Sequence, residues 1–453
     1  MESLRRHLLI TGRTGSWKSV FLKSLFYTQQ YQSHKKEQYG LILLDPHGDL
    51  AEEILKFRLN QLKPERIVYI DPHWEKGKIP CINPFRQRVS DPILIDLMSQ
   101  QFAKTFSELI SEAGLSLQME TILKPCLSVL LEQGACGLQD LQVFMDDTQN
   151  YKRVELWKQS SFSVYRQFFE TAFLKKKYAP TKLAIYTRLQ HLQNNYSFYH
   201  MMNGKSQFNL KSLMKQWKVI IFNLSKGKLG NDTSKVLGRF ISATLVSIAL
   251  QRAYEPEYTR KPTYVFVDEF HNFASESMET VFSEMRKFKL HFIVWTQSVN
   301  QLPVSLKETV LNNTAVKLVG INGISALKAQ AGDLGVPVQQ LQSLFPFWFY
   351  LKHDHYPAKR MRSPNFLIKK FKKYSMNYRE LQEMKKIMLD YSELYRTISS
   401  DSYQTKQTND KENVTDDFLA KNLVSDENNA SKSPNWYQNK RLSTNNCKPE
   451  FKL

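Results

Sequence analysis

The sequence predicts an α/β fold with a mainly parallel sheet and an inserted all-α domain, and three observations support it. Short apolar runs bounded by turn or charged residues recur along the 453-residue chain, as expected of buried parallel strands. Apolar residues at helical spacing separate several runs, so strand and helix alternate. From about residue 91 to residue 203 only helical spacing remains. The predicted strands are His7–Thr11, Leu41–Leu44, Ile67–Ile70, Val219–Leu224, Tyr264–Val267, Phe292–Thr296, Ala315–Val319 and Trp348–Leu351.

Helical spacing is clearest in two places. In the segment 233–253, apolar residues from Leu237 to Leu250 lie on one face of a helix. Within 91–203 the same spacing appears from Leu94 to Leu109 and again from Leu123 to Leu131. We interpret 91–203 as a helical domain inserted between two halves of the sheet.

Composition limits the class of protein. The chain has 63 Lys and Arg against 43 Asp and Glu, a net charge of +20, and 42% of its residues are hydrophobic. No apolar stretch approaches the ~18 residues of a membrane span. Its 4 cysteines are too few for a disulfide-built fold. We therefore expect a cytoplasmic protein with no membrane span of its own.

The positive charge lies in the part of the chain that we expect to fold. Residues 399–453 hold 8 basic and 8 acidic side chains and are rich in Asn, Ser and Thr, which predicts a disordered polar tail. The surplus therefore belongs to residues 1–398 and indicates an acidic partner such as nucleic acid.

Two acid-free stretches concentrate this charge. Each mixes cations with aromatic side chains, as contact with a nucleic-acid strand or backbone requires. A solvated basic face is the alternative interpretation of both. The first stretch has Lys359, Arg360, Arg362, Lys369, Lys370, Lys372 and Lys373, with Phe366 and Phe371 interleaved, and the second, 171–200, has Lys175, Lys176, Lys177, Lys182 and Arg188.

A phosphate-binding loop follows the first predicted strand. Its spacing is G-x-x-x-x-G-K-[ST], with Trp17 in place of the second glycine. In such a loop, backbone N–H groups at a helix N-terminus wrap the β-phosphate, Lys18 pairs with β and γ oxygens, and the Ser19 hydroxyl joins Mg²⁺. Alone, the motif leaves both a nucleotide site and an ordinary strand-turn-helix open. The candidate nucleotide-binding residues are Gly12, Arg13, Thr14, Gly15, Ser16, Trp17, Lys18 and Ser19.

Paired carboxylates end the predicted strand Tyr264–Val267, which is the form of a Walker B motif. Asp268 would hold the Mg²⁺ shell through water, and Glu269 would orient and polarise the water that attacks the γ-phosphate. The alternative to a Walker B motif is that the two acids only begin a turn. Gln297 ends the next predicted strand, where open α/β sheets bind ligands, and could sense the γ-phosphate.

Arg286 lies between these two strands in the sequence. It could reach the nucleotide of a neighbouring subunit as an arginine finger. The alternative is a surface ion pair with Glu284 or Glu279.

Two Asp-Pro-His sequences, at 45–47 and 71–73, follow successive predicted strands. Their spacing matches no strong metal-ligand pattern, so we favour a strand-end turn over a metal site. In this interpretation Pro46 and Gly48 set the bend and Asp49 caps the next helix.

The chain resembles the DNA-pumping coupling ATPases of conjugation and type IV secretion, within the HerA-FtsK superfamily of P-loop translocases. The resemblance runs in order from Leu8 to about Pro364, and its DPHGDL and DEFHNF elements are specific. The segments that carry it are GRTGSWKS, LILLDPHGDLAEEIL, ERIVYIDPHWE with INPF, VIIFNLSKGKLG, YVFVDEFHNFASES and FSEMRKFKLHFIVWTQSVNQL with LNNT.

The resemblance implies a RecA-like core that hydrolyses ATP with Mg²⁺ between the subunits of a homo-hexamer and threads DNA through a basic channel. It also implies that the helical insertion contacts relaxosome or type IV secretion components. By position it assigns Lys18 and Ser19 to phosphate and Mg²⁺, Asp268 to Mg²⁺, Glu269 to the water and Gln297 to sensing.

The chain departs from the family at two points. Trp17 replaces a glycine, and the P-loop strand begins almost at the N-terminus, without the family's usual membrane anchor. We therefore expect a cytoplasmic protein or one held peripherally at the inner face of the cell membrane. Two alternatives to the translocase stay open: a nucleotide-impaired DNA-binding or adaptor relative, and a HerA-like DNA-processing helicase.

The expected domain organisation combines these interpretations. It comprises the first half of the P-loop ATPase core (1–90), the helical insertion (91–203), the second half of the core with the Walker B motif (204–370), a C-terminal helix (371–398) and the disordered polar tail (399–453).

Overall fold

A computed structural model provides the structure of the chain. It describes residues 6–13, 18–36, 39–86, 88–110, 117–151, 154–155, 158, 160–204, 208–275, 278–391 and 394–397. The P-loop residues Thr14, Gly15, Ser16 and Trp17 and the predicted tail 399–453 lie outside the described residues.

The strands include every apolar run that the sequence predicts. Three further short strands, β4, β10 and β11, were not predicted, because they are brief and, in β10, fully charged apart from one methionine. The strands are β1 Leu8–Thr11, β2 Gly40–Asp45, β3 Ile67–Ile70, β4 Lys78–Pro80, β5 Val219–Asn223, β6 Thr263–Val267, β7 Leu290–Thr296, β8 Val316–Gly320, β9 Trp348–His353, β10 Lys359–Arg362 and β11 Tyr395–Thr397.

Nine strands of the described part of the chain form one sheet in the order β10-β9-β8-β1-β7-β6-β2-β5-β3. From β8 to β3 all neighbours pair in parallel, so the predicted mainly parallel sheet is confirmed. The prediction of a parallel strand at Trp348–Leu351 is wrong, because β9 pairs antiparallel with β8. An apolar run indicates burial but carries no information about direction, which depends on the connection.

Helices cover both faces of the sheet. The described residues between 91 and 203 contain helices and turns and no strand. The helices are α1 Lys18–Lys36, α2 Asp49–Leu55, α3 Pro92–Ile110, α4 Leu117–Gln133, α5 Leu138–Phe144, α6 Ser163–Thr171, α7 Ala179–Gln193, α8 Tyr196–Asn203, α9 Leu210–Lys215, α10 Lys226–Leu229, α11 Asn231–Gln251, α12 Glu279–Glu284, α13 Val304–Asn313, α14 Ile324–Leu334, α15 Val338–Gln342, α16 Phe366–Lys369, α17 Phe371–Tyr374 and α18 Tyr378–Tyr391.

The buried helix α11 joins the helical segment to the sheet. Its side chains pack on α3, where the rings of Phe102 and Phe240 stack with centroids 4.3 Å apart. One hydrophobic core therefore runs from the helices of 91–203 to one face of the sheet. The expectation that no apolar stretch approaches the length of a membrane span is wrong for one helical stretch among the described residues. Asn231–Tyr254 is long and apolar enough to cross a membrane, and 78% of its apolar window is buried inside the protein.

The segment predicted as a C-terminal helix, 371–398, is divided. It begins with the single turn α17, continues as α18, and ends in β11, which pairs antiparallel with β4. The buried Tyr395 hydroxyl donates to the Tyr69 carbonyl oxygen at 2.9 Å, which fastens this segment to the edge strand β3.

Candidate active site

The site forms where β1, β7 and β6 end side by side. In the parallel register Thr11 lies opposite Thr296, and Val267 lies opposite Val294. The carboxyl ends of these three strands therefore lead into the P-loop, the segment that begins with Gln297, and the acid pair. Because β7 separates the other two strands, Gln297 follows a strand that lies between the strand leading to Gly12 and the strand leading to the carboxylates.

Two contacts hold the start of the P-loop. The Arg13 N–H donates to the Ile321 carbonyl oxygen at 2.9 Å, just beyond β8, and the Thr11 hydroxyl donates to Gln330 Oε1 at 3.0 Å. Gly12 is buried and Arg13 exposed, and α1 begins at Lys18. Strand β1 thus ends at Thr11 and helix α1 begins at Lys18, and this order of strand and helix is the one in which P-loops occur.

The acid pair is buried at the end of β6. Asp268 is 5% and Glu269 6% exposed. The Asp268 N–H donates to the Leu44 carbonyl oxygen at 3.0 Å, and the Asp268 carboxylate accepts the Glu269 N–H at 2.9 Å. These bonds fix the direction in which the chain leaves the sheet.

Glu269 has a left-handed backbone conformation, with φ 42° and ψ 54°. For a residue with a Cβ this costs on the order of 1–2 kcal/mol. Asn272 offsets part of the cost, since both its backbone N–H and its side-chain amide donate to the Glu269 carbonyl oxygen at 2.9 Å. The strained conformation aims the Glu269 side chain toward β7.

Gln297 contacts the end of that side chain. Its Nε2 donates to Glu269 Oε1 at 3.3 Å. Asn322, which follows β8, donates from Nδ2 to the Gln297 carbonyl oxygen at 2.5 Å and so holds the backbone of Gln297. The sequence predicted roles for Glu269 and Gln297 separately, and the fold brings them into direct contact.

His271 lies on the other side of the Glu269 carboxylate. Its Nδ1 is 3.4 Å from Glu269 Oε2 and 3.3 Å from the Thr296 hydroxyl. Burial lowers the pKa of His271, with Lys226, His47 and Lys235 acting in the same direction, although Glu269 opposes the shift. The imidazole is therefore biased toward its neutral form. Among the described residues, no donor hydrogen-bonds to Glu269 Oε2, which leaves this buried oxygen able to accept from water.

Lys226 joins the site from the start of α10, the short helix that follows β5. Its ammonium group hydrogen-bonds to Asn272 Oδ1, and its backbone N–H donates to the Pro46 carbonyl oxygen at 2.9 Å. Burial and then Lys235 lower the pKa of Lys226, whereas Glu269 raises it. Sequence analysis missed Lys226, His271, Asn272 and Asn322. Three of them stand in segments that carry the resemblance, Lys226 in NLSKGKLG and His271 and Asn272 in the specific element DEFHNF.

The first Asp-Pro-His sequence is a turn, as favoured above. The buried Asp45 carboxylate accepts the His47 N–H at 2.9 Å and the Ala51 N–H at 2.8 Å. Gly48 has φ 92°, and a Cβ there would lie 2.6 Å from Asn223 Oδ1, so glycine is required. The prediction that Asp49 caps α2 is wrong, because Gly48 is the N-cap and the Asp45 side chain accepts the helix N–H instead.

The second sequence forms a similar turn. The Asp71 carboxylate accepts the His73 N–H at 2.8 Å, the Asn223 amide at 3.0 Å and the Lys228 ammonium at 3.0 Å. Across the described residues, no cluster of three or more His, Cys, Asp or Glu side chains could hold a metal ion. Through their hydrogen bonds to backbone N–H groups and to Asn223, the Asp-Pro-His sequences brace the carboxyl edge of the sheet.

Arg286 is not brought to this site. It is exposed on a 3₁₀ turn, Met285–Phe288, that leads into the amino end of β7, at the opposite edge of the sheet from Glu269. Glu284, considered above as its partner, pairs with Lys287 at 3.1 Å.

The basic stretches are partly neutralised. In the second, Lys182 is buried and pairs with Asp147, and Arg188 lies 3.6 Å from Asp232. Lys175, Lys176 and Lys177 remain exposed. In the first, the cations of β10 lie on the edge strand of the sheet, and the lysines from 369 to 373 lie exposed on α16 and α17 or between them.

Comparison with known proteins gives two matching family models. The model of the central domain of helicase HerA matches residues 1–245, which is more than half of the chain. The model of the TraM recognition site of TraD and TraG matches residues 262–336. The comparison with curated proteins found no match.

Solved structures of similar fold include those of the plasmid coupling protein TrwB. Unbound bacterial conjugative coupling protein TrwBdeltaN70 has a TM-score of 0.57 and 16% identity, covering 80% of this chain and 85% of that one. TrwB with the ATP analogue ADPNP has a TM-score of 0.57 and 15% identity, covering 80% and 86%. TrwB with ADP and Mg²⁺ has a TM-score of 0.56 and 15% identity, covering 80% and 86%. The predicted RecA-like P-loop fold is confirmed.

Proposed function

The chain belongs to the family of the helicase HerA central domain, and on that basis we propose that it is an ATP-driven DNA translocase resembling the coupling ATPases of conjugation and type IV secretion. The observation that carries the proposal is the contact between Gln297 Nε2 and Glu269 Oε1 at 3.3 Å, beside the strand that leads into the P-loop. A paired acid and amide at this position suit the activation of a water molecule.

The residues present fit ATP and Mg²⁺. TrwB has been solved with the ATP analogue ADPNP and with ADP and Mg²⁺. We extend the binding of ATP and Mg²⁺ to this chain. Lys18 and the backbone of the P-loop would hold the phosphates, and Ser19 and Asp268 would hold Mg²⁺. Hard oxygen donors of this kind are those that Mg²⁺ prefers. Bound Mg²⁺ would neutralise negative charge on the phosphates.

Glu269 performs the central step in this proposal. Its Oε2, which lacks a donor among the described residues, accepts a hydrogen bond from the attacking water and aligns it. Gln297 fixes Oε1, so that the carboxylate cannot rotate away. Asn272 holds the backbone conformation from which the side chain extends. A neutral His271 forms no ion pair with Glu269 Oε2 at 3.4 Å, which leaves this oxygen available to the water.

The assembly and partners are part of the same proposal. The protein would act as a homo-hexamer in which Arg286, exposed and away from its own acid pair, serves the nucleotide of the next subunit as an arginine finger. The match to the TraM recognition site supports relaxosome or type IV secretion components as partners. The exposed Lys175, Lys176 and Lys177 are candidates for DNA contact, and the protein would act in the cytoplasm or peripherally at the inner face of the membrane.

Steady-state ATP hydrolysis by the full chain, with and without single- and double-stranded DNA, tests the proposal. Activity that rises with DNA and disappears in Lys18→Ala and Glu269→Gln is the expected result. Absence of hydrolysis in the native protein, at protein and DNA concentrations where DNA binding is complete, would contradict it.

Trp17 supports a second candidate, a nucleotide-impaired DNA-binding or adaptor relative. A large side chain in the P-loop hinders the close approach of backbone to phosphate. This candidate predicts that Trp17→Gly creates nucleotide binding that the native chain lacks. Equal binding of a fluorescent ATP analogue by both proteins would exclude it.

The HerA family match also keeps a DNA-processing helicase open. A helicase would have the same active site as the translocase, but it would separate the two strands of a duplex. Strand separation of a duplex with a free end, measured beside displacement of a bound protein without strand separation, distinguishes the helicase from the translocase.

A further inference from the structure

One surface combines exposed lysines with exposed bulky apolar side chains. Ile368 is 44% and Phe371 58% exposed, on α16 and α17. Leu62 is 71% exposed on the 3₁₀ turn Arg58–Leu62, which packs beside α17. The lysines of this surface are Lys369, Lys370, Lys372 and Lys373, all exposed. We call these seven residues the basic apolar face.

The positive charge of the basic apolar face is uncompensated. Within the described part of the chain, none of its four lysines forms an ion pair. Glu380 is engaged elsewhere, since it pairs at 3.1 Å with Arg58, on the 3₁₀ turn that carries Leu62. The face therefore attracts anions.

Packing beneath the face holds it in place. The Tyr27 ring contacts those of Phe57, Phe366 and Tyr374 edge to face, with centroids 5.1, 5.8 and 5.3 Å apart. The Met376 N–H donates to the Lys56 carbonyl oxygen at 2.8 Å, which ties the end of α17 to the turn that precedes Leu62. The exposed apolar side chains thus project from an ordered support.

We propose that the basic apolar face binds an anionic lipid bilayer. Leu62 and Ile368 have no π-face on which a base of a single strand could stack. In a membrane interface, such side chains enter the boundary between headgroups and acyl chains, while the surrounding lysines contact anionic headgroups. The inference rests on the proposed peripheral location, but it does not depend on ATP hydrolysis.

Co-sedimentation of the full chain with vesicles tests the proposal. One set contains phosphatidylglycerol and phosphatidylethanolamine, and the other phosphatidylcholine alone. Binding to the first set, weakening with salt, is expected, with little binding to the second. The triple variant Lys370→Glu, Lys372→Glu and Lys373→Glu should bind the anionic vesicles about tenfold or more weakly.

A matched variant controls for net charge. Lys175→Glu, Lys176→Glu and Lys177→Glu make the same change of charge at the other exposed lysine cluster, and vesicle binding should stay within about twofold of the native value. Equal losses in both triple variants would overturn the proposal, because total charge would then explain binding. Equal binding of the native protein to both vesicle sets would also overturn it.

A third variant tests the apolar contribution and guards against misfolding. Ile368→Ser with Phe371→Ser keeps every lysine and should lower the binding that persists at high salt. If the first triple variant has a lowered thermal midpoint, its loss of vesicle binding could reflect misfolding, and the serine variant then decides whether the face binds the bilayer. If the variant with Lys370, Lys372 and Lys373 changed to Glu loses duplex DNA binding but retains vesicle binding, the face belongs to a nucleic-acid interface and the proposal is overturned. ATP hydrolysis, measured on the same samples, shows separately whether the proposed motor function fails.

Discussion

The side-chain amide of Asn272 donates to the carbonyl oxygen of Glu269 at 2.9 Å and holds an acidic residue in a left-handed backbone conformation. Such strain persists where the surrounding structure enforces it, and it is concentrated at functional sites. Here it directs a buried carboxylate toward Gln297. The position of the proposed base thus depends on a residue three places further along the chain.

Asn272→Ala should lower kcat for ATP hydrolysis about tenfold with KM nearly unchanged, because a displaced base affects the reaction more than nucleotide binding. The free energy of unfolding should fall by about 1 kcal/mol for the lost hydrogen bond. Steady-state kinetics and urea unfolding measure the two effects. Asn300→Ala, at an exposed position, is the control, and a rise in KM without a change in kcat would contradict this role.

Lys226 should act through Asn272. Its ammonium group contacts Asn272 Oδ1, so Lys226→Met, Asn272→Ala and the double variant should lose similar amounts of activity. Losses in single-turnover hydrolysis that multiply in the double variant would show that the two residues are independent. Lys228→Met is the matched control, because Lys228 pairs with Glu52 and Asp71 instead and should leave the rate constant near the native value.

Glu269→Gln should reduce the rate of hydrolysis by about 10²–10⁴, the usual contribution of a general base, and should retain nucleotide binding. The amide keeps the shape of the side chain and removes its charge. Rapid-quench measurement of the chemical step, with affinity for a fluorescent ATP analogue measured in parallel, checks both statements. A rate within about threefold of the native value would exclude Glu269 as the base.

Gln297→Ala should slow hydrolysis, because the Glu269 carboxylate loses the donor at 3.3 Å and can rotate. We expect a loss of about 10- to 100-fold in single-turnover rate. Asn322→Ala should produce a smaller loss in the same direction, since Asn322 supports only the backbone of Gln297. A larger effect from Asn322→Ala than from Gln297→Ala would contradict this order.

The stability of the fold should fall in acid because of His7. Burial, followed by the charge of Arg286, lowers the pKa of His7 to about 4 from its ordinary value of 6.5, and Nδ1 accepts the Phe292 N–H at 3.0 Å. The unfolded chain therefore binds a proton below about pH 6.5, whereas the folded chain stays neutral until about pH 4. The contribution of about 3 kcal/mol is complete above pH 6.5 and is lost as the pH falls toward 4.

Urea unfolding at several pH values measures this loss. His7→Gln keeps an acceptor for the Phe292 N–H and removes the titration, so its free energy of unfolding should depend less on pH in this range. An identical pH dependence in both proteins would assign the acid sensitivity to other groups.

Several features of this protein could be predicted from the sequence because they depend on neighbouring residues. Each of the eight predicted strands is present, since apolar runs bounded by polar turns record burial in the local pattern. The P-loop spacing and the acids at the end of β6 were identifiable for the same reason. The turn at Gly48 was also predicted, because Pro46 and Gly48 are residue types that favour a bend.

The tertiary structure decided which strand ends lie side by side and in what order. The placement of β7 between β1 and β6, which brings Gln297 to Glu269, depends on strand pairing between distant segments. The contact of Lys226 with Asn272 likewise joins the start of α10 to the 3₁₀ turn after β6. The antiparallel direction of β9 depends on the path of its connection. Local sequence limits the backbone conformation and the burial of each residue. Strand order and the contacts between distant segments result from packing of the whole chain. Strand order and these contacts set the geometry of the proposed site.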